Sequence, residues 1–142
     1  TFIKKDTWAN IERTGRCVLH LPSVDNIEDV NNSAAGLTVG KSETDEFNIE
    51  LTEFDNFPLP RVKNAPVAYG CDLSSVTEVG TPPLGLVMVQ AQQIFLAEHI
   101  VESVNGADIH LDETAINPLT RLGKTKYGTL GKIIDIGPPP KV

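Results

Sequence analysis

Two lysines, a carboxylate and a hydroxyl follow one another at Lys4-Lys5-Asp6-Thr7, directly ahead of a segment with helical spacing. A helix start offers unpaired backbone N–H groups and the positive end of its dipole. Ammonium and hydroxyl groups gathered there outline an anion site, one suited to phosphate. The same residues also read as solvated lysines beside a capping aspartate. No nucleophile can be named: there is no G-x-S-x-G elbow, and Cys17 has neither an activating base nor a paired thiol beside it in the sequence. Gly123, Gly128 and Gly131 do not match G-x-G-x-x-G, which disfavours a dinucleotide-binding Rossmann fold. His20, His99 and His110 are too scattered to infer a metal site, and no metal is expected. Each reads as a packed or surface histidine, with His20 and His99 the two that could face a bound group.

The elements that would carry these residues follow from periodicity. Asp6 suits an N-cap, Trp8 and Ile11 share one helical face, and Gly15 is placed for a left-handed C′ position, so residues 6–14 form a short helix. Cys17, Leu19 and Leu21 then alternate with Val18 and His20 until Pro22, as in a strand. Ser23 caps a second helix in which Val24, Ile27, Val30 and Ala34 recur, ended by Gly36. Residues 41–57 are acidic, with Phe47, Leu51 and Phe54 at helical intervals, and read as a helical or partly irregular excursion broken by Pro58-Leu59-Pro60. Val67, Tyr69, Cys71 and Leu73 mark a half-buried strand, and Thr81-Pro82-Pro83 marks the turn of a hairpin. Residues 86–101 suit a long curved barrel strand, with a helix left open by periodicity alone. Residues 102–120 read as a loop with an extra strand, and 128–136 as ending in a strand before Gly137-Pro138-Pro139-Pro140.

With 142 residues the chain can bury on the order of 70% of its unfolded surface, so one domain spanning 1–142 is expected. The formal charge of −7 repels phosphate backbones and anionic lipid at long range, arguing against nucleic acid and membrane partners. An anionic cofactor then needs a locally basic site. Cys17 and Cys71 lie far apart in the sequence and fit no disulfide framework or metal spacing, so they read as buried thiols. No apolar run of about 18 residues spans a bilayer, and residues 1–6 are charged where a signal peptide would turn apolar, so a cytoplasmic location is expected.

In chain order, Lys5-Asp6-Thr7, Asn10-Ile11 and Thr14-Gly15 with Val18 resemble the helix and strand of flavin reductase-like proteins. Asp45-Glu46-Phe47, then Pro60-Arg61-Val62 with Ala65-Pro66-Val67, resemble that family's middle segments. Arg121-Leu122-Gly123, Tyr127, Gly131 and Pro138-Pro139 are similar to its ending. The resemblance spans nearly the whole chain and implies a mainly β, α+β fold with short helices: a split β-barrel of the FMN-binding type, working as a homodimer. It implies hydride transfer from NAD(P)H to FMN, with Lys5 and Thr7 on the phosphate or ribityl oxygens and Asn10 adding a polar contact from the same helical face. Arg121 and Tyr127 would be further flavin contacts, or else a surface cation and a barrel-end aromatic. Flavin supplies the hard chemistry in such proteins, so a missing nucleophile does not argue against an enzyme.

The chain departs from the family in two ways. The family places several strands ahead of this helix, so the sequence is expected to be N-terminally incomplete relative to it. The family's strand asparagine is replaced by His20. Three functions are carried forward: an FMN reductase, with a partner oxygenase or other electron acceptor downstream; an FMN-binding electron carrier; and a split-barrel interaction module without cofactor.

Overall fold

The computed structural model describes residues 6–38 and 40–140. Helix α1 spans Asp6–Thr14 and buries Trp8 and Ile11. Asp6, expected as the N-cap, is already inside the first turn, where the dipole still favours its charge. Gly15 ends the helix at φ +68°, its N–H donating to the Ile11 carbonyl at 2.9 Å, the left-handed closure expected of a glycine there.

The chain leaves α1 straight into β1 (Arg16–Leu21), one edge of a three-stranded antiparallel sheet. The other strands are β4 (Val67–Val79) and β5 (Leu84–Leu96), joined as the expected hairpin, and the order is β1-β4-β5. The register sets Leu19, Tyr69 and Ile94 in one row, and Leu21, Val67 and Leu96 in another on the same face. At that second row the face is sealed by a core of Val67, Ile100 and Ile116, with Tyr69, Leu111 and Ala115 packed around it. Towards the hairpin's far end, Trp8 lies against Gly85: a methyl there would fall 2.6 Å from Trp8 Cζ3.

Ser23 caps the next segment as expected. Its side chain accepts from the Asp25 N–H and Asn26 answers on the Ser23 N–H, a capping box that starts a 3-10 turn, Val24–Asn26, and then α2, Ile27–Asn32. α2 stops short of Gly36.

The acidic stretch is the clearest correction. Only one helical turn forms, α3 (Glu43–Glu46), and the helical spacing of Phe47, Leu51 and Phe54 is accidental. Leu51–Phe54 is β2, paired with β3 (Phe57–Val62) around Asp55-Asn56, where Asn56 takes the left-handed turn position at φ +60°. Phe54 and Phe57 face each other across the turn with ring centroids 5.6 Å apart. Pro58 and Pro60 therefore sit inside a strand and do not break one. Both prolines fall where the β2–β3 register shifts, between the Thr52–Arg61 and Phe54–Phe57 pairs, so they interrupt no regular run of ladder bonds.

Further along, the long strand stops at Leu96. Glu98–Ile100 is a 3-10 turn, and Val101–Asn105 begins β6, which pairs with β7 (Asp108–Leu111). Residues 102–120 thus hold a hairpin and the short helix α4 (Glu113–Ile116), capped by Asp112, more regular structure than a loop with one strand. β8 (Thr120–Gly123) pairs with β9 (Lys126–Gly128). No strand follows among residues 129–136, where Ile133, Ile134 and Ile136 are exposed: apolar residues without a pairing strand do not make an element. Among the described residues no helix is long and apolar enough to cross a membrane.

Candidate functional site

Lys5 lies outside the described residues. Thr7 and Asn10 are both exposed on α1, three residues apart and hence on one face. Asn10 Oδ1 accepts from Arg13 Nη2 at 3.2 Å, which orients its amide and leaves Nδ2 as a donor. Neither Asn10 Nδ2 nor Thr7 Oγ1 bonds another described residue. The two side chains therefore offer an amide and a hydroxyl donor beside the first turn of a nine-residue helix.

Arg121 and Tyr127 are brought together by the β8–β9 register, directly opposite one another. Arg121 Nη1 donates to the Tyr127 hydroxyl at 3.0 Å and Nη2 to the Lys124 carbonyl at 2.9 Å, while its Cζ stands 5.3 Å from the Tyr127 ring centroid. The Tyr127 hydroxyl donates to Asn31 Oδ1 at 3.4 Å and so ties this hairpin to α2. In the sequence Asn31 stands out only as the start of Asn31-Asn32-Ser33, a weak glycosylation sequon that gives no hint of this bond. Among the described residues, no hydrogen bond or ion pair joins this trio to Thr7 or Asn10.

The third place of interest is a cleft of about 430 Å³ between the end of β1, α2 and α3. Its polar wall includes His20, Asn26, Asp29, Ser33, Glu43 and Thr44, and its volume falls in the range of small-molecule sites. In the sequence Asp29 reads only as an acid favoured by the dipole at a helix start and Glu43 only as part of an acidic run, so neither is marked as a cleft residue. His20 is fixed here: its Nε2 accepts the Val62 N–H at 3.0 Å, which puts its ring proton on Nδ1. It therefore joins β1 to β3. His99 lies in the 3-10 turn and His110 on β7, both exposed.

Burial, and then the neighbouring Arg61 charge, hold His20 below the usual histidine range, so it stays neutral in the fold. The folded value lies below the unfolded one, near 6.5, so the folded protein binds fewer protons between them. Stability from this group is complete above about pH 6.5 and falls as pH drops through the folded value. His20→Ala is expected to leave the Val62 N–H without its acceptor, costing about 1–2 kcal/mol in urea unfolding at pH 7.5, and to flatten the acid-side loss.

The sequence profile described as Flavin reductase like domain matches residues 3–121, and the chain belongs to that family. It is similar to the uncharacterized protein YwrF of Bacillus subtilis (strain 168), 29% identical over 133 residues that cover 91% of this chain and 63% of YwrF. Among solved structures it resembles nitrilotriacetate monooxygenase component B from Bacillus cereus. The TM-score is 0.81 at 25% identity, over 94% of this chain and 65% of that one. A protein from Shewanella frigidimarina NCIMB 400, assigned as a flavin reductase with a split barrel domain, superposes with a TM-score of 0.80 at 19% identity, over 92% of this chain and 64% of that one. The fold is that of the flavin reductase-like split barrels, mainly β with short helices, as the motifs led one to expect. The chain spans a little under two thirds of the length of each of these proteins.

Proposed function

We propose that this chain is the FMN-holding part of an NAD(P)H-dependent flavin reductase that works as a cytoplasmic homodimer. The observation that carries this reading is the pair of outward donors, Thr7 Oγ1 and Asn10 Nδ2, one turn apart at the start of α1 in a flavin reductase-like domain. Hydroxyl and amide donors beside helix N–H groups match the chemistry of a phosphate and a ribityl chain. Lys5 and Thr7 would hold the phosphate end, and Asn10 would orient the chain next to it. Bound FMN supplies the hydride-accepting ring, and the protein places it. Arg121 uses two of its five N–H donors on Tyr127 and Lys124, and Tyr127 gives its hydroxyl proton to Asn31, which supports a role in shaping the loop while leaving guanidinium donors for a flavin contact.

Likeness to a monooxygenase component supports a reductase that passes reduced flavin to a partner oxygenase. The homodimer is supported by Leu84, Leu86 and Met88, which expose one apolar stripe on β5 at 38%, 41% and 53%.

The test is an FMN titration followed by nicotinamide oxidation with free FMN. Lys5→Ala with Thr7→Ala is expected to weaken FMN binding by about 1–3 kcal/mol per lost contact, with helix content by circular dichroism unchanged. Unchanged affinity rejects this site. FMN binding without nicotinamide turnover leaves an electron carrier, and a chain that takes up no FMN is an interaction module.

A further inference from the structure

Cys17 and Cys71 are 54 positions apart in the sequence, yet the β1–β4 register sets them directly opposite each other. The Leu73 N–H bonds to the Gly15 carbonyl at 2.7 Å, which makes 15 and 73 a hydrogen-bonded pair. Antiparallel alternation then puts 17 and 71 in the same class, with Cα atoms about 5.5 Å apart. That separation is the usual one for a disulfide, about 5.5–6 Å. Opposed residues in register also point their Cβ atoms to the same face of the sheet. Both thiols are free, and Cys71 Sγ donates to the Tyr69 carbonyl at 3.5 Å. The next rung, Arg16 with Asp72, is held by an ion pair at 2.9 Å, so the strands are pinned in this register beside the sulfurs.

We propose that Cys17 and Cys71 form a reversible dithiol–disulfide site, oxidised by a small-molecule disulfide of the glutathione type. The roles follow from exposure. Cys71 is 1% exposed, whereas Cys17 is half-buried and reachable from solvent. Cys17 as thiolate attacks one sulfur of the oxidant, forming a mixed disulfide and releasing one thiolate. Cys71 then attacks Cys17 Sγ, forming the cross-strand bond and releasing the second. Two electrons pass from the protein thiols to the oxidant, and the two protons leave on the two released thiols. Burial pushes both thiols up, so little thiolate is present at neutral pH and exchange is slow. Equilibrium is therefore the proper readout. The bond would fasten edge strand β1 to the central strand directly after α1, the helix that carries Thr7 and Asn10.

The test equilibrates the full chain at pH 8 without oxygen in buffers of graded reduced and oxidised glutathione. Alkylation, intact mass and peptide mapping follow. The expected result is a chain that loses two hydrogens with rising oxidised glutathione, maps as a 17–71 link, stays uncrosslinked to other chains, and melts several degrees higher until reduced. Cys71→Ser is expected to stop at one glutathione on Cys17. Two alkylatable thiols at every ratio overturn the proposal, as do a persistent glutathione adduct on Cys17 of the unaltered chain and a link formed only between chains. The unaltered chain decides the matter even if the variant fails to fold.

Discussion

Trp8→Ala is expected to lower the unfolding free energy by about 3–5 kcal/mol, the cost of removing a fully buried aromatic from a site that cannot collapse around the gap. Trp8 is 1% exposed and its ring covers the backbone of Gly85, so the cavity would open between α1 and the β4–β5 hairpin. The reading must come from circular dichroism in urea, because Trp8 is the sole tryptophan and its fluorescence disappears with it. A second consequence distinguishes this variant from substitutions at the helix start. If α1 is seated by Trp8, FMN affinity falls together with stability, whereas Lys5→Ala with Thr7→Ala loses affinity alone. A cost below about 1 kcal/mol would mean that the helix is not anchored there.

Gly70→Val should separate the β2–β3 hairpin from the sheet. A Cβ at position 70 falls 2.7 Å from Phe57 Cγ, with both ring Cδ atoms within 3.0 Å, and an aromatic ring held near its own backbone has little room to yield. Overpacking of this kind costs about 1–3 kcal/mol, and valine adds two methyls to the clash. Amide exchange would locate the damage: protection at Lys63 N, which bonds to Glu50 O, should fall before protection in β4 and β5. Adding Phe57→Leu should recover part of the loss. A full-strength hairpin in Gly70→Val would show that Phe57 leaves its place at small cost.

These two glycines mark the limit of what the residues alone could say. The α1 boundaries, Gly15 as its end, β1, the Ser23 cap and the β4–β5 hairpin were legible because each rests on a local rule: a cap, a left-handed glycine, or a period of two. The stretch 41–57 misled because three apolar residues at helical intervals outweighed Asn56 and the aromatic pair Phe54 and Phe57, which specify a turn only once they meet. Pro58 and Pro60 were misread for the same reason. A proline rules out a ladder bond on one side of a strand, and which side is unpaired is a tertiary fact.

The candidate site divides likewise. Thr7 and Asn10 could be picked out because helical spacing alone puts them on one face. The trio of Arg121, Tyr127 and Asn31 joins residues 96 positions apart, and the cleft acids Asp29 and Glu43 meet only after folding. The two cysteines show the same lesson. Read as unrelated buried thiols, they stand in register because β1 returns along β4, and no spacing rule anticipates that.

The outer edge of β3 has one more consequence. An unpaired strand edge ordinarily offers a row of donors and acceptors on which another chain can add, the starting point of edge-to-edge aggregation. Here Pro60 has no N–H to offer and the Val62 N–H is taken. The hairpin, seated on the sheet through Phe57 against Gly70 and Arg61 over Phe95, thus offers fewer donors to a third strand, and His20, besides joining two strands, occupies one of them.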